Sequence, residues 1–346
     1  MSEKKMRIGI LSAGGDCPGI NAAIRGVGKT AIVEYGMEVI GIANGFSGLV
    51  DVETIPLNEQ LLSGILTLGG TILGTSRMKP FKSDEMGDKY VKPRVIVENY
   101  HKLGLDALVC IGGNGTQKTA SLLAKEGLNI IGIPKTIDND VFGTDITFGF
   151  DSAVNIATEA IDRLHTTANS HKRAMVIEVM GHHAGWIALY SGMAGGGDVI
   201  LVPEIPYDIN HVIKTINDRV LRGKDYSIVV VAEGIVHPDK KSAGAYIAKK
   251  ISEHTGMETR ETILGYTQRG GSPSPMDRIL ATRYGSHAAE LIAKNQFGVM
   301  ISIKDNELTS IPLEQVEDKL RLLTPDNPLI MKGRKMGVCF GDEYER

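Results

Sequence analysis

The sequence predicts an α/β protein of two similar lobes, each a mainly parallel sheet wound on both faces by helices. Three observations predict it. Short apolar runs recur that are too brief for helices and too apolar for half-exposed strands, so they read as buried parallel strands. Segments with apolar residues at helical spacing lie between them, and a β-α-β-α alternation of this kind builds a doubly wound sheet. The 41 glycines are clustered, and the clusters follow the apolar runs, where the chain must turn sharply or pass close to a ligand.

In chain order, strands are expected at Ile8–Leu11, Val39–Ile42, Ala107–Ile111 and Ile130–Ile133, with a helix over Ile20–Tyr35 after the first. The pattern then repeats: strands at Ala174–Val179, Val199–Val202 and Ile228–Ala232, helices at Ile156–Ala168, Val212–Leu221 and Arg278–Ala293. No fixed short repeat points to a solenoid. At roughly 150 residues per domain, 346 residues make two. The lobes are drawn as residues 1–149 with about 266–310, and 150–265 with about 311–346. Asp305–Arg346 is more polar and yields no clear element.

Composition bounds the function. The chain is 42% hydrophobic and 23% charged, enough for full cores, and its net charge of −3 favours neither nucleic acid nor membrane as a partner. A phosphate site must therefore be a local cluster of Lys and Arg. Cys17, Cys110 and Cys339 are far apart, which excludes a CxxC pair and a disulfide framework and suits a reducing compartment. No apolar run reaches the ~18 residues of a membrane span. The start, MSEKKMRIGIL, lacks a signal-peptide core, so a cytoplasmic protein is expected.

Ligands of open α/β sheets sit beyond the carboxyl ends of the strands. Four loops fall there, three of them glycine-containing: SAGGDCPG after Leu11, GGNGT after Ile111, PKTIDND after Ile133 and MGHHAG after Val179. Together they predict one phosphate-binding cleft. Ser12–Gly19 joins a strand to a helix, where backbone N–H groups suit a phosphate; it is neither a Walker A loop nor a GxGxxG fingerprint. In Gly112–Thr116, paired glycines allow a polyphosphate close approach and Thr116 can cap the helix or bond a phosphate oxygen. In Pro134–Asp140, Asp138 and Asp140 follow a lysine and a threonine, which supplies a base and charge control for phosphoryl transfer. Alone, the two acids would read as turn residues; the loops around them favour chemistry.

Arg77, Lys79, Lys82, Arg173, Arg260 and Arg269 are candidates to hold a sugar phosphate, since they flank glycines, loop ends or strand starts. His182-His183 has no third ligand at zinc-like spacing. Trp186 reads as core, and Gly195-Gly196-Gly197-Asp198 as a turn.

GGDCPGINAAIRG, GGNGT, PKTIDND, VIEVMGHHAGW, LVPE, AEG and LGYTQRGGSPSPMDRILA, in this order over residues 6–300, resemble the phosphofructokinase family. The resemblance implies two Rossmann-like lobes, nucleotide largely on the first and sugar phosphate between both, in a cytoplasmic homotetramer with shared active sites. It implies that Asp138 is the base for the sugar 1-hydroxyl, Asp140 its partner near the metal, and that Thr136 bonds the transferring phosphoryl group. Gly15, Arg77, Lys82, Gly113, Asn114, Gly115, Thr116 and Lys135 would meet the phosphoryl donor, with Phe46 packed on adenine. Met180, Gly181, His182, Glu233, Tyr266 and Arg269 would line fructose 6-phosphate, and Arg173 and Arg260 would reach the 6-phosphate from a neighbouring subunit. Arg25, Lys29, Asp198, Arg222 and Lys224 match effector-site positions; a solvated basic face is the plainer alternative.

Departures from the family pattern qualify these roles. Asn114 stands where ATP-using bacterial members carry a Mg²⁺-holding Asp, and Asn is a weaker ligand for a hard cation. His182 replaces a common Arg, and Tyr266 a common His. Gly115 leaves room for a nucleotide, whereas Lys135 is typical of pyrophosphate users. A lysine can swing aside and a steric block cannot, so ATP is the expected donor, with Mg²⁺. The alternatives are a pyrophosphate-dependent enzyme, a kinase of another ketose phosphate such as sedoheptulose 7-phosphate, and a sensor of nucleotide and sugar phosphate.

Overall fold

The computed structural model describes residues 5–82, 91–238 and 242–344. The chain forms two compact units. The first comprises Met1–Thr136, Val141–Gly149 and Arg269–Leu320; the second Ile137–Asp140, Phe150–Gln268 and Arg321–Arg346.

The chain opens with β1 (Arg7–Ser12), α1 (Ile20–Val33), β2 (Glu38–Ile42), α2 (Phe46–Asp51) and β3 (Thr54–Leu57). It continues through α3 (Glu59–Leu62), α4 (Val91–Lys102), β4 (Ala107–Gly112), α5 (Asn114–Lys125), β5 (Ile130–Thr136) and β6 (Phe148–Gly149). The second unit supplies α6 (Phe150–His171), β7 (Ala174–Val179), α7 (Trp186–Ala194), β8 (Val199–Leu201), α8 (Ile209–Leu221), β9 (Ser227–Ala232), α9 (Ala243–Thr255) and β10 (Thr259–Ile263). The chain then returns to the first unit for α10 (Pro275–Ala293), β11 (Val299–Lys304), β12 (Glu307–Pro312) and α11 (Leu313–Val316). It ends in the second with α12 (Pro328–Met336).

The first unit's sheet runs β12-β11-β5-β4-β1-β2-β3, with β6 also paired to β5. Among the described residues, only the β2–β3 and β11–β12 strand pairs of this sheet are antiparallel. All six residues of β4 are buried, as a strand covered on both faces requires. Where α1 crosses α10, bare backbones meet: a Cβ on Gly26 would lie 2.8 Å from the Thr282 carbonyl oxygen, and one on Gly285 2.7 Å from the Val27 nitrogen. The second unit's sheet, β10-β7-β9-β8, is parallel throughout, and β7 and β9 are buried along their whole length.

Three expectations are corrected. The strand expected to end at Ile133 runs to Thr136: β5 pairs with β4 as far as Pro134, and Lys135 and Thr136 pair with Phe148 and Gly149 of β6. Proline is disfavoured inside a sheet, and the β6 partner is not visible in local sequence. Residues 311–320 belong with the first unit, because β12 pairs with β11 and α11 follows it directly. Ile137–Asp140 belongs with the second unit, through backbone bonds described below.

Candidate functional site

In the first unit, two of the glycine loops leave the carboxyl ends of β1 and β4, which are neighbours in the sheet, with the end of β5 beside β4. Their backbones interlock. Ala13 N–H donates to the Ile111 carbonyl at 3.0 Å, and the Thr116 hydroxyl to the Ala13 carbonyl at 3.3 Å. Gly14 N–H donates to the Ser76 carbonyl (2.9 Å), and the Thr75 hydroxyl returns to the Gly14 carbonyl (2.8 Å). This places the exposed Arg77 one residue beyond the contact. The buried Lys135 ammonium donates to the Ala13 carbonyl at 3.2 Å and to the Gly15 carbonyl. The loop is thereby clamped around a cation.

Glycine is required at some of these positions and not at others. Gly14 has φ +84°, the left-handed region. A Cβ on Gly15 would overlap the Arg269 guanidinium. A Cβ on Gly115, by contrast, meets nothing within 4 Å, and the residue is exposed. Helices α1 and α5 both start from a glycine with no side-chain cap and no acid in the first turn. Their N-terminal N–H groups and dipoles favour an anion there. Cys17, beside this loop, is held as a thiol: burial pushes its ionisation up, against the opposing pull of Lys135.

In the second unit, Asp138 is half-buried and Asp140 is buried, in a turn where Asn139 takes φ 53°. The Arg321 backbone N–H donates to the Asp140 carbonyl (2.9 Å), and its Nη1 to the Asn139 carbonyl (3.1 Å). The MGHHAG loop is organised by side chains from elsewhere. Glu233 Oε1 accepts from Gly181 N–H (3.3 Å) and His182 N–H (2.9 Å), and Gln268 Oε1 from Met180 N–H (2.8 Å). Glu204, of the LVPE motif, accepts from Gly185 N–H (2.9 Å) and from Leu323 N–H (3.0 Å). Met180 is buried, His182 is exposed with φ 52°, and Tyr266 is 74% exposed. Arg173 and Arg260 come together on one carboxylate: Glu258 accepts from Arg173 Nε at 2.8 Å and from Arg260 Nη2 at 2.6 Å.

Of the expected donor-side residues, Gly15, Arg77, Lys82, Gly113, Asn114, Gly115, Thr116, Lys135 and Thr136 lie in the first unit. Phe46 is 1% exposed and part of the hydrophobic core with Leu11 and Leu49. Arg269, expected among sugar ligands, belongs to the first unit and lies against Gly15. Of the effector positions, Arg25 and Lys29 are on α1, and Asp198, Arg222 and Lys224 are in the second unit. The Asp198 carboxylate is already bonded to Arg219 (2.7 Å) and to Ile228 N–H (2.9 Å); burial nonetheless raises its pKa.

Sequence reasoning missed Gln117, Glu204, Gln268 and Arg321. Gln117 Nε2 ties the Gly112 and Ile133 carbonyls at 2.8 and 2.9 Å, joining the end of β4 to the middle of β5. Glu204 had a signal, since LVPE was noticed as a motif without a role. Arg321 had none: it lies in the polar C-terminal stretch that matched no pattern.

Residues 7–292 match the model of a family described as phosphofructokinase. A Bacteroides thetaiotaomicron protein named ATP-dependent 6-phosphofructokinase 3 is 64% identical, across 97% of this chain and 100% of that protein. An ATP-dependent 6-phosphofructokinase of Spirochaeta thermophila is 56% identical, across 96% and 97%. Among solved structures, Pichia pastoris phosphofructokinase in the T-state is similar with a TM-score of 0.83 and 35% identity over 91% of this chain. This chain spans 35% of that longer one. A pyrophosphate-dependent phosphofructokinase from Marinobacter aquaeolei, 22% identical with a TM-score of 0.83, covers 99% of this chain and shares the fold.

Proposed function

The chain belongs to the phosphofructokinase family, and on that premise we propose that it is an ATP-dependent 6-phosphofructokinase, transferring the γ-phosphoryl group of ATP to the 1-hydroxyl of fructose 6-phosphate. The observation that carries the donor choice is the space at Gly115. Its φ is not in the left-handed region and a Cβ there touches nothing, so the fold does not demand glycine. Room for a nucleotide is a functional reason for its absence of side chain. Lys135 favours the second reading, pyrophosphate. Against it, the Lys135 ammonium bonds loop carbonyls, a role in shaping the loop that any donor requires.

In the proposed reaction Asp138 takes the proton of the 1-hydroxyl as its oxygen attacks the γ-phosphorus. The bond to the bridging oxygen breaks, and ADP leaves with that oxygen. General-base help of this kind contributes about 10²–10⁴-fold. Thr136 holds the transferring group, Arg77 and the N-termini of α1 and α5 balance charge on the donor, and Arg173 and Arg260 recognise the 6-phosphate. Among the described residues no three His, Cys, Asp or Glu side chains group to hold a metal. Mg²⁺ needs only one or two carboxylates when phosphates supply other ligands. Asp140 offers one, so the residues fit a Mg²⁺ brought with the donor, which supplies positive charge at the phosphates. The neutral Asn114 is a weaker candidate.

The reading extends to a cytoplasmic homotetramer with shared active sites and an effector site including Arg25, Lys29, Arg222 and Lys224. No helix among the described residues is long and apolar enough to cross a membrane. The test is turnover of fructose 6-phosphate with Mg²⁺ and either ATP or pyrophosphate. We expect the higher kcat/KM with ATP. A higher value with pyrophosphate overturns the donor, and no turnover with either overturns the enzyme.

A further inference from the structure

We propose that Arg321 is a positioning residue for the phosphoryl-transfer step: it fastens the turn carrying Asp138 to the loop that takes the sugar. The inference rests on the proposed role of Asp138 as base.

The turn Ile137–Asp140 is flanked on both sides by chain of the first unit, yet it belongs to the second. Arg321 is one residue that ties it there. It holds two successive carbonyls of the turn, Asp140 through its backbone N–H at 2.9 Å and Asn139 through Nη1 at 3.1 Å. Asn139 sits at φ 53°, a conformation that few non-glycine residues adopt unaided. The same arginine faces the other way onto the sugar loop. Its guanidinium carbon lies 3.9 Å from the centre of the Trp186 ring, and Trp186 Nε1–H donates to the Arg321 carbonyl at 2.9 Å. Trp186 opens α7 directly after MGHHAG and is buried.

Two residues on, Leu323 N–H donates to Glu204, whose carboxylate also accepts from Gly185 N–H. The segment 321–323 thus joins the base turn, the end of the sugar loop and the LVPE motif within one unit. The consequence for catalysis is registry. A displacement of about 1 Å at a reacting group costs up to about 10²-fold in rate. A base tied to the sugar loop keeps its distance to the 1-hydroxyl whatever the rest of the chain does. The guanidinium lays its flat face on Trp186 while Nη1 holds a carbonyl, so Lys is not an equivalent.

Arg321→Met and Arg321→Lys test this in the full-length enzyme. Kinetics with ATP and fructose 6-phosphate are read per folded protein, alongside thermal unfolding and direct binding of fructose 6-phosphate. For Arg321→Met we expect kcat to fall about 10–10²-fold with both KM values and sugar-phosphate binding changed less than about 3-fold. Arg321→Lys, which keeps the charge and folds more readily, should lose less but remain well below the parent. A kcat within 2-fold of the parent in folded Arg321→Met, or a loss confined to KM, overturns the proposal. A loss that tracks the folded fraction alone also overturns it. Asp138→Asn is measured in parallel: if that variant keeps its kcat, the base assignment fails, which is a different failure from an unchanged Arg321 variant.

Discussion

The two units shape their loops by opposite means. In the first, the donor loops are shaped by what is missing: glycines at 14 and 15 let a loop close over the Lys135 ammonium and against the Arg269 guanidinium. In the second, the loops are shaped by what is supplied from afar: Glu233, Glu204, Gln268 and Arg321 bind backbone groups of segments distant in sequence. The first arrangement should break when an atom is added, the second when a polar group is taken away.

The largest effect is expected at Asp138, the base proposed in the second unit. Asp138→Asn keeps size but replaces the basic, charged carboxylate by a neutral amide. We expect kcat to fall by about 10²–10⁴-fold with KM for fructose 6-phosphate little changed. Steady-state kinetics with ATP in excess measure this. A kcat reduced less than tenfold would take the role of base from Asp138.

This contrast also explains what could be read from sequence. The strand runs were legible because burial on both faces leaves an uninterrupted apolar signature, as in Ala107–Ile111. The donor loops were legible because adjacent strands bring contiguous glycine motifs together. The second unit's contacts were not. Gln268 and Met180 are 88 residues apart and Arg321 and Asn139 are 182 apart, and nothing local marks either pair. The β11–β12 hairpin was overlooked although its two-residue turn, Asp305-Asn306, takes positive φ at both positions with residues suited to it. Phe46, in the core with Leu11 and Leu49, illustrates why an aromatic beside a glycine loop looks the same in sequence whether it faces a ligand or the core.

An intermediate effect should come from adding one methyl group in the first unit. Gly15→Ala places a Cβ into the Arg269 guanidinium, so either that side chain or the loop must move. Because the loop carbonyls also hold Lys135, a shift propagates to the donor side. We expect kcat/KM for ATP to drop by about 10²-fold, the cost of misplacing groups near the reaction by about 1 Å. Gly115→Ala is the internal control: its Cβ enters open space, so unfolding temperature should match the parent. If Gly15→Ala behaves like Gly115→Ala, the loop is not shaped by the absence of side chains, and the contrast between the units fails on this side.

The smallest effect belongs to the exposed rim of the second unit. Glu258 holds Arg173 and Arg260 on one carboxylate, so both guanidinium groups are oriented before a phosphate arrives. All three side chains are partly exposed, and pairs of this kind are worth about 0–1 kcal/mol. Removing the charge also leaves the site more positive, which favours a dianion and offsets part of the lost order. Glu258→Gln should therefore raise KM for fructose 6-phosphate by no more than about 2–5-fold, the fold-change that fraction of a kcal/mol allows. Neither kcat nor KM for ATP should change. Measuring KM for the sugar phosphate at low and at high salt separates the two contributions. A lower KM in the variant, most evident at low salt, would mean that Glu258 competes with the phosphate for the arginines rather than arranging them. The second unit would then hold one polar group whose removal improves binding, and the rule that its site depends on supplied side chains would stop at the rim.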